Sequence, residues 1–220
     1  MSRPIRETFA LLAALVVVAA PLVAQDATAI VGRSARVYRG LGSLRANFVQ
    51  VIDDQMIGRY EAKGVLVQSG QNKLSMRFSD PAGDAIIVDG QQVWVYTPST
   101  TPGQVLRLPL PTDPVYGFNV IAWLLDRPAD RYRVAYLRAD HIGGRAVDVV
   151  EMTPTLPTLP FARATVWLDR DDALPRKLEI EEKNGGTRIL TLTRLRIDEQ
   201  IPERLFTFDI PSGVRIIDQR

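Results

Sequence analysis

Cysteine is absent from the chain, and histidine occurs once, as His141. The first absence excludes disulfides, thiolate zinc sites, cysteine nucleophiles and a lipid-modified N-terminal cysteine. The second argues against an all-histidine metal site and a histidine-based triad. An excess of one charge is also missing, since 27 Lys and Arg against 25 Asp and Glu give +2. A nucleic-acid binder needs a basic surface to neutralise phosphates, so no nucleic-acid partner is expected. There is no G-x-S-x-G elbow and no phosphate loop, and Gly40-Leu41-Gly42 lacks the third glycine of a dinucleotide fingerprint. What is present is 46% apolar and 24% charged over 220 residues, a composition that folds.

The start reads as an address. Arg3 and Arg6 precede Phe9 to Ala20, twelve residues without a polar group, and Pro21 to Ala24 leads into Gln25-Asp26. A basic start, a short apolar run and a small residue before a polar stretch is the layout of a secretory signal peptide. As a helix, the apolar run rises only about 18–23 Å, short of the roughly 30 Å hydrocarbon core. Cleavage is expected near Ala24, with residues 25–220 forming a single exported domain. Removing 24 of 220 residues leaves 196, and the loss of two arginines and one glutamate takes the net charge from +2 to +1.

Past the leader, Ala27, Ile30, Val31, Ala35, Val37, Tyr38 and Leu41 recur at helical spacing, with Asp26 as cap and Gly40 and Gly42 at the end. Strand alternation then takes over in Leu44–Ile52, Tyr60–Gln68 and Leu74–Phe78. Asp89-Gly90 between Ala85–Val88 and Val93–Thr97 predicts a hairpin. Gln104–Leu108 alternates again, until Pro109, Pro111 and Pro114 break the pattern. Phe118–Leu125 reads as a short amphipathic helix. Five further strands are expected over Arg131–Arg138, Arg145–Met152, Phe161–Leu168, Lys177–Glu182 and Arg188–Ile197. About ten strands in one open antiparallel sheet must twist and curl, or split. The fold class is therefore mainly β, with two helical pieces able to cover a concave face.

Several segments resemble, in order, the periplasmic outer-membrane lipoprotein carrier family, LolA. Phe48-Val49-Gln50 is similar to its phenylalanine and glutamine after the first helix, and Gly64 with Leu66 to its glycine and apolar strand. Asp80–Pro98 is similar to its V-x-D-G-x-x-[LV]-W-x-Y-x-P hairpin, and Phe208–Asp218 to its closing F-x-x-P-x-G-V element. The resemblance implies a curved antiparallel sheet forming an unclosed half-barrel, with short helices as a lid over an apolar cavity. It also implies a non-enzymatic monomer, without cofactor or metal, that binds acylated lipoproteins. Such a carrier takes its cargo from an inner-membrane lipoprotein-releasing transporter and passes it to an outer-membrane acceptor. The sequence departs from the family at one place. An Arg-Pro pair, whose arginine helps hold the family's lid closed, has no counterpart near Gly70 and Gln71.

The residues expected to line the cavity or form its lid are Leu74, Met76, Phe78, Trp94, Tyr96, Phe118, Ile121, Leu124, Leu125 and Trp167. Met76 suits the role because a thioether adapts its shape. A charge at Leu124 is expected to abolish acyl binding while sparing the fold. Asp169, Asp171 and Asp172 read as an acidic turn rather than a calcium loop, which would need a following glycine and glutamate. His141 reads as a solvated turn residue. Arg188, Arg194 and Arg196 read as one solvent face with partners in Glu179 and Glu181, or as a docking surface for a negatively charged partner.

Other readings share the leader and the fold. A carrier of another lipid, or a regulatory binding module, would use the same scaffold. The anti-sigma-factor-binding regulators like RseB carry an added C-terminal domain, for which 196 residues are expected to leave no room. An acceptor of the LolB type needs a lipidated cysteine. A hydrolase on this scaffold would show a paired, buried acid or nucleophile in the cavity.

Overall fold

The computed structural model describes residues 26–56, 58–110 and 118–219. The leader Met1–Ala24 and the breaks at Pro111 and Pro114 lie outside these residues.

Helix α1 (Ala27–Gly40) begins where the Asp26 carboxylate accepts from the N–H groups of Thr28 and Ala29, which the helix itself leaves unpaired. Its apolar stripe buries Ala27, Val31, Ala35 and Tyr38. Five hairpin-connected strands then follow, β1 (Ser43–Asp54), β2 (Gly58–Ser69), β3 (Lys73–Asp80), β4 (Ala82–Val88) and β5 (Gln92–Tyr96), with β6 (Gln104–Pro109) after them. The β4–β5 turn forms as the Asp-Gly pair predicts. Asp89 accepts from the N–H groups of Gln91 and Gln92, and Gly90 takes φ +96°, a conformation that glycine adopts without strain. Two short helices, α2 (Val120–Leu125) and α3 (Pro128–Arg131), lead to the second run of strands. These are β7 (Tyr132–Ile142), β8 (Arg145–Pro154), β9 (Phe161–Asp169), β10 (Pro175–Glu182) and β11 (Thr187–Ile197). A 3-10 turn at Glu203–Phe206 and strand β12 (Arg215–Asp218) close the chain.

Among the described residues the strands form one sheet in the order β12-β6-β5-β4-β3-β2-β1-β11-β10-β9-β8-β7. Its end strands do not pair with each other, so the sheet is unclosed. Every neighbouring pair is antiparallel except β12 and β6, which run parallel. The sheet curls, since one buried cluster draws side chains from β1 to β5 and from β8 to β11 onto the same helices. α1 and α2 fill the concave side.

Strand-by-strand reading recovered all but one of these strands. β12 escaped it because a four-residue edge strand, paired across more than a hundred positions, carries no local signal. α3 is a single turn with proline at its start, shorter than a helical period can reveal.

Trp94 and Tyr96 face away from the concave side. Along β5 the alternation sends Val93 and Val95 to the main cluster and Trp94 and Tyr96 to the other face. There the C-terminal segment covers them. The Phe208 ring stacks on Trp94 with centroids 5.6 Å apart and lies 5.5 Å from Tyr96. Arg77 donates to the Thr207 carbonyl, and Lys73 pairs with Glu203 at 2.6 Å. Trp167 is likewise on the outer face, beside Val147 and Val149. Its indole N–H donates to Asp140, and the Lys177 ammonium sits 4.2 Å from its ring centre.

The reading of Arg188, Arg194 and Arg196 as one face is corrected here. β11 carries an extra residue opposite Arg45–Asn47, with Arg194 at φ +50°, so the alternation changes phase. Leu195 then packs on the main cluster, while Arg188 stays on the concave side with Leu190 and Leu192. The ion pairs differ too. Arg188 pairs with Glu182 and Arg196 with Glu199, whereas Glu179 takes Lys177 and Glu181 takes Arg163.

Candidate functional site

The concave face and α2 enclose a cavity of about 190 Å³. Its apolar wall is Leu66, Met76, Phe78, Ile86, Val120 and Ile121, completed by Phe118 and Leu190, and its polar members are Gln50, Asn119 and Arg188. Of the residues expected there, Met76, Phe78, Phe118 and Ile121 line it. Leu74, Leu124 and Leu125 belong to the buried cluster around it, and Trp94, Tyr96 and Trp167 are on the far face of the sheet.

Gln50, Leu66, Ile86, Asn119, Val120, Arg188 and Leu190 were missed. For Gln50 and Arg188 the signal was available. Gln50 shares the inward phase of Phe48, and Arg188 that of Leu190 and Leu192, so a polar residue on a buried phase marks each.

α2 is fastened at both ends. Asn119 caps it, its side-chain oxygen accepting from the Ala122 N–H at 3.0 Å. The Asn119 amide donates to Gln68 at 3.1 Å, and the Tyr38 hydroxyl lies 2.5 Å from the same Gln68 oxygen and 3.3 Å from the Asn119 oxygen. With one proton to give, the hydroxyl donates to the nearer Gln68. Gln68 in turn donates to the Gly70 carbonyl at 2.9 Å. This neutral network ties α1, β2 and α2 together. Burial raises the Tyr38 hydroxyl far above its ordinary pKa, more than its hydrogen bonds to Asn119 and Gln68 lower it, so it remains a donor.

At the other end, Arg131 donates to the Trp123 carbonyl at 2.6 Å and to the Asp126 carbonyl at 3.3 Å, which are among the carbonyls a helix end leaves unpaired. Its guanidinium also lies 4.3 Å from the Trp123 ring centre. Nearby, burial pushes the Tyr132 hydroxyl up to about 12, with Arg131 opposing that and Asp126 adding to it.

A second depression, about 230 Å³, adjoins α1 and is lined by Ile30, Arg33, Asp148, Leu168, Asp169, Arg170 and Ala173. Its charges are already matched. Arg170 pairs with Asp148 at 2.6 Å, and Asp169 binds Arg145 and Arg176. Larger volume therefore does not make it the better receptor for an apolar ligand.

The acidic turn after β9 is built around Asp169, whose side chain is fully buried. Burial alone would raise its pKa. Hydrogen bonds from Arg145 and the Asp171 and Asp172 N–H groups, with the nearby Arg176 charge, outweigh that and hold it at about 2. His141 is exposed beside the Gly143-Gly144 turn. Among the described residues no group of three or more His, Cys, Asp or Glu side chains is placed to hold a metal ion. Among the described residues, the wall of the main cavity carries no acid, thiol or hydroxyl side chain.

Comparison with known proteins adds four findings. The family model described as outer membrane lipoprotein carrier protein LolA matches residues 39–209. The outer-membrane lipoprotein carrier protein of Shewanella loihica is 25% identical over 207 residues, spanning 93% of this chain and 91% of that one. That of Chromohalobacter salexigens is 26% identical over 200 residues, spanning 90% and 91%. The fold is also similar to the crystal structure of an uncharacterized conserved protein from Thermus thermophilus. That likeness has a TM-score of 0.57 at 11% identity and covers 89% of this chain and all of the other.

Proposed function

The chain belongs to the LolA family of outer membrane lipoprotein carriers, and on that premise we propose that it is a periplasmic carrier of acylated lipoproteins. In this reading residues 1–24 export it and residues 25–220 work as one monomeric domain. It receives cargo from an inner-membrane releasing transporter and yields it to an outer-membrane acceptor, without catalysis or cofactor.

The observation that carries the reading is the apolar cavity between the sheet and α2. Each buried methylene gains about 0.8 kcal/mol, so a chain of a dozen methylenes gains on the order of 10 kcal/mol. An apolar cavity of roughly 150 Å³ takes a benzene, so about 190 Å³ admits part of one acyl chain. Full entry requires α2 to lift from the sheet. The cargo then spends part of its binding energy on that movement. The return of Val120 and Ile121 to the cavity recovers apolar burial when the cargo leaves, which makes binding reversible.

The test is native mass spectrometry of the protein purified from a bacterial periplasm without detergent, followed by titration with a triacylated lipopeptide against Nile red. A co-purifying lipoprotein, or displacement of the dye by the lipopeptide, supports the carrier reading. A bare protein mass together with no displacement overturns it.

A further inference from the structure

The inward rows of the sheet form a gradient. Moving along β1 from its hairpin end, the register places Ile52 opposite Arg188, then Gln50 opposite Leu190, then Phe48 opposite Leu192 and across Gly64 from Phe78. The next row is Ala46, Leu66, Met76 and Ile86. The cavity touches each of these rows, through Arg188, through Gln50 and Leu190, through Phe78, and through Leu66, Met76 and Ile86. At about 3.4 Å per residue, the six steps from Ile52 to Ala46 span roughly 20 Å. One end of that span carries the Arg188 guanidinium and the Gln50 amide, and the other is hydrocarbon up to Asn119, whose amide is already engaged with Gln68 and the Ala122 N–H.

Arg188 brings a charge into this wall. Its side chain is 21% exposed and pairs with Glu182 at 3.6 Å. Taking a guanidinium out of water costs several kcal/mol unless acceptors compensate, whereas leucine at that position would extend the apolar surface. A guanidinium has five donors in a planar fork and serves more than one acceptor at a time.

We propose that Arg188, with Gln50 beside it, forms the polar end of the cavity and binds the carbonyl oxygen of the occupant. The site thereby distinguishes acyl groups from plain hydrocarbon and sets the direction in which the chain lies. The proposal rests on the cavity being an acyl-chain site and adds a residue that selects the ligand's head. The shared chemistry is a carbonyl acceptor at the end of an alkyl chain, whether carboxylate or ester.

The experiment is displacement of Nile red from the wild-type protein and from Arg188→Met by palmitate, monopalmitin and hexadecanol, ligands of one chain length. In the wild type the two carbonyl ligands should compete about tenfold better than hexadecanol, the size of one charge-assisted hydrogen bond. In Arg188→Met that advantage should vanish, read as the ratio of each carbonyl ligand to hexadecanol within the variant. Gln50→Leu should show the same trend more weakly. Loss for palmitate alone assigns the end to a carboxylate, and loss for both assigns it to acyl carbonyls generally. An unchanged preference in Arg188→Met, or an equal loss for all three ligands, overturns the proposal and leaves Arg188 as a structural partner of Glu182. Failure of every ligand to displace the dye from the wild type overturns the acyl-site reading itself. The ratio between ligands is read within one protein, so a change in folded fraction does not imitate it.

Discussion

Phe48 and Phe78 meet edge to face, with ring centroids 5.2 Å apart and planes at 84°, although β2 runs between their strands. They can do so because the residue between them in the row is Gly64. The absent side chain leaves room for the rings, and the β3 backbone comes close as well. A Cβ on Gly64 would lie 2.1 Å from the Arg77 carbonyl oxygen and 2.9 Å from the Phe78 Cα.

Gly64→Ala should therefore force β2 from β3, because backbone atoms cannot yield as a flexible side chain can. We expect a loss of about 1–3 kcal/mol, the usual cost of overpacking. A weakened aromatic near-ultraviolet dichroism should accompany it as the ring pair separates. Urea unfolding checks the first outcome, and an unchanged midpoint contradicts the backbone contact.

Asn119→Ala should loosen α2 at its start. It removes the cap, worth about 1 kcal/mol, and deprives the buried Gln68 of the Asn119 amide donor, costing about 1–3 kcal/mol more. Nile red should bind faster to this variant, since the helix that covers the cavity is released on one side. Unaltered association rates would show that α2 does not gate the cavity.

Leu124 is fully buried in the main cluster and is not among the residues lining the cavity. A charge there should unfold the chain, which corrects the expectation of a folded, non-binding protein. Leu124→Ala should cost about 2–5 kcal/mol. Trp167→Phe, on the other face, should leave dye affinity unchanged. Thermal unfolding and dye titration of the two variants separate core from cavity.

Asp169 has its pKa lowered from 3.8 to about 2. A depressed carboxylate contributes stability that is fully present above its unfolded value and is lost as pH falls through its folded value. Stability should thus decline between about pH 4 and about pH 2, by on the order of 2 kcal/mol. Asp169→Asn should flatten that decline and lower stability near neutral pH by about 3 kcal/mol, because the buried Arg176 and the partly exposed Arg145 lose the charge between them. Urea midpoints across this pH range test both.

Periodicity and turn chemistry determined most of the elements in advance, because they are local. α1 carries its own cap and stripe, and the Asp89-Gly90 turn carries its own hydrogen bonds and left-handed glycine. Of the segments resembling the carrier family, those at Phe48, Gly64 and Asp80–Pro98 lie in β1 to β5 and their turns, whereas Phe208–Asp218 runs from irregular chain into β12. Site membership was less legible. Alternation says that Trp94 and Val93 face opposite ways, but not which way is inward, and both faces of β5 turned out to be buried. The segment around Phe208, more than a hundred positions later, covers one of them. Likewise Arg188 looked like a member of a solvent face until the extra residue in β11 separated it from Arg194 and Arg196. Sequence alone determined which residues alternate, where the chain turns and that the product is mostly sheet. Only the tertiary structure decided which face the helices fill and which polar side chains reach the cavity, because strand order, register and sheet curvature are set by contacts between residues far apart in the chain.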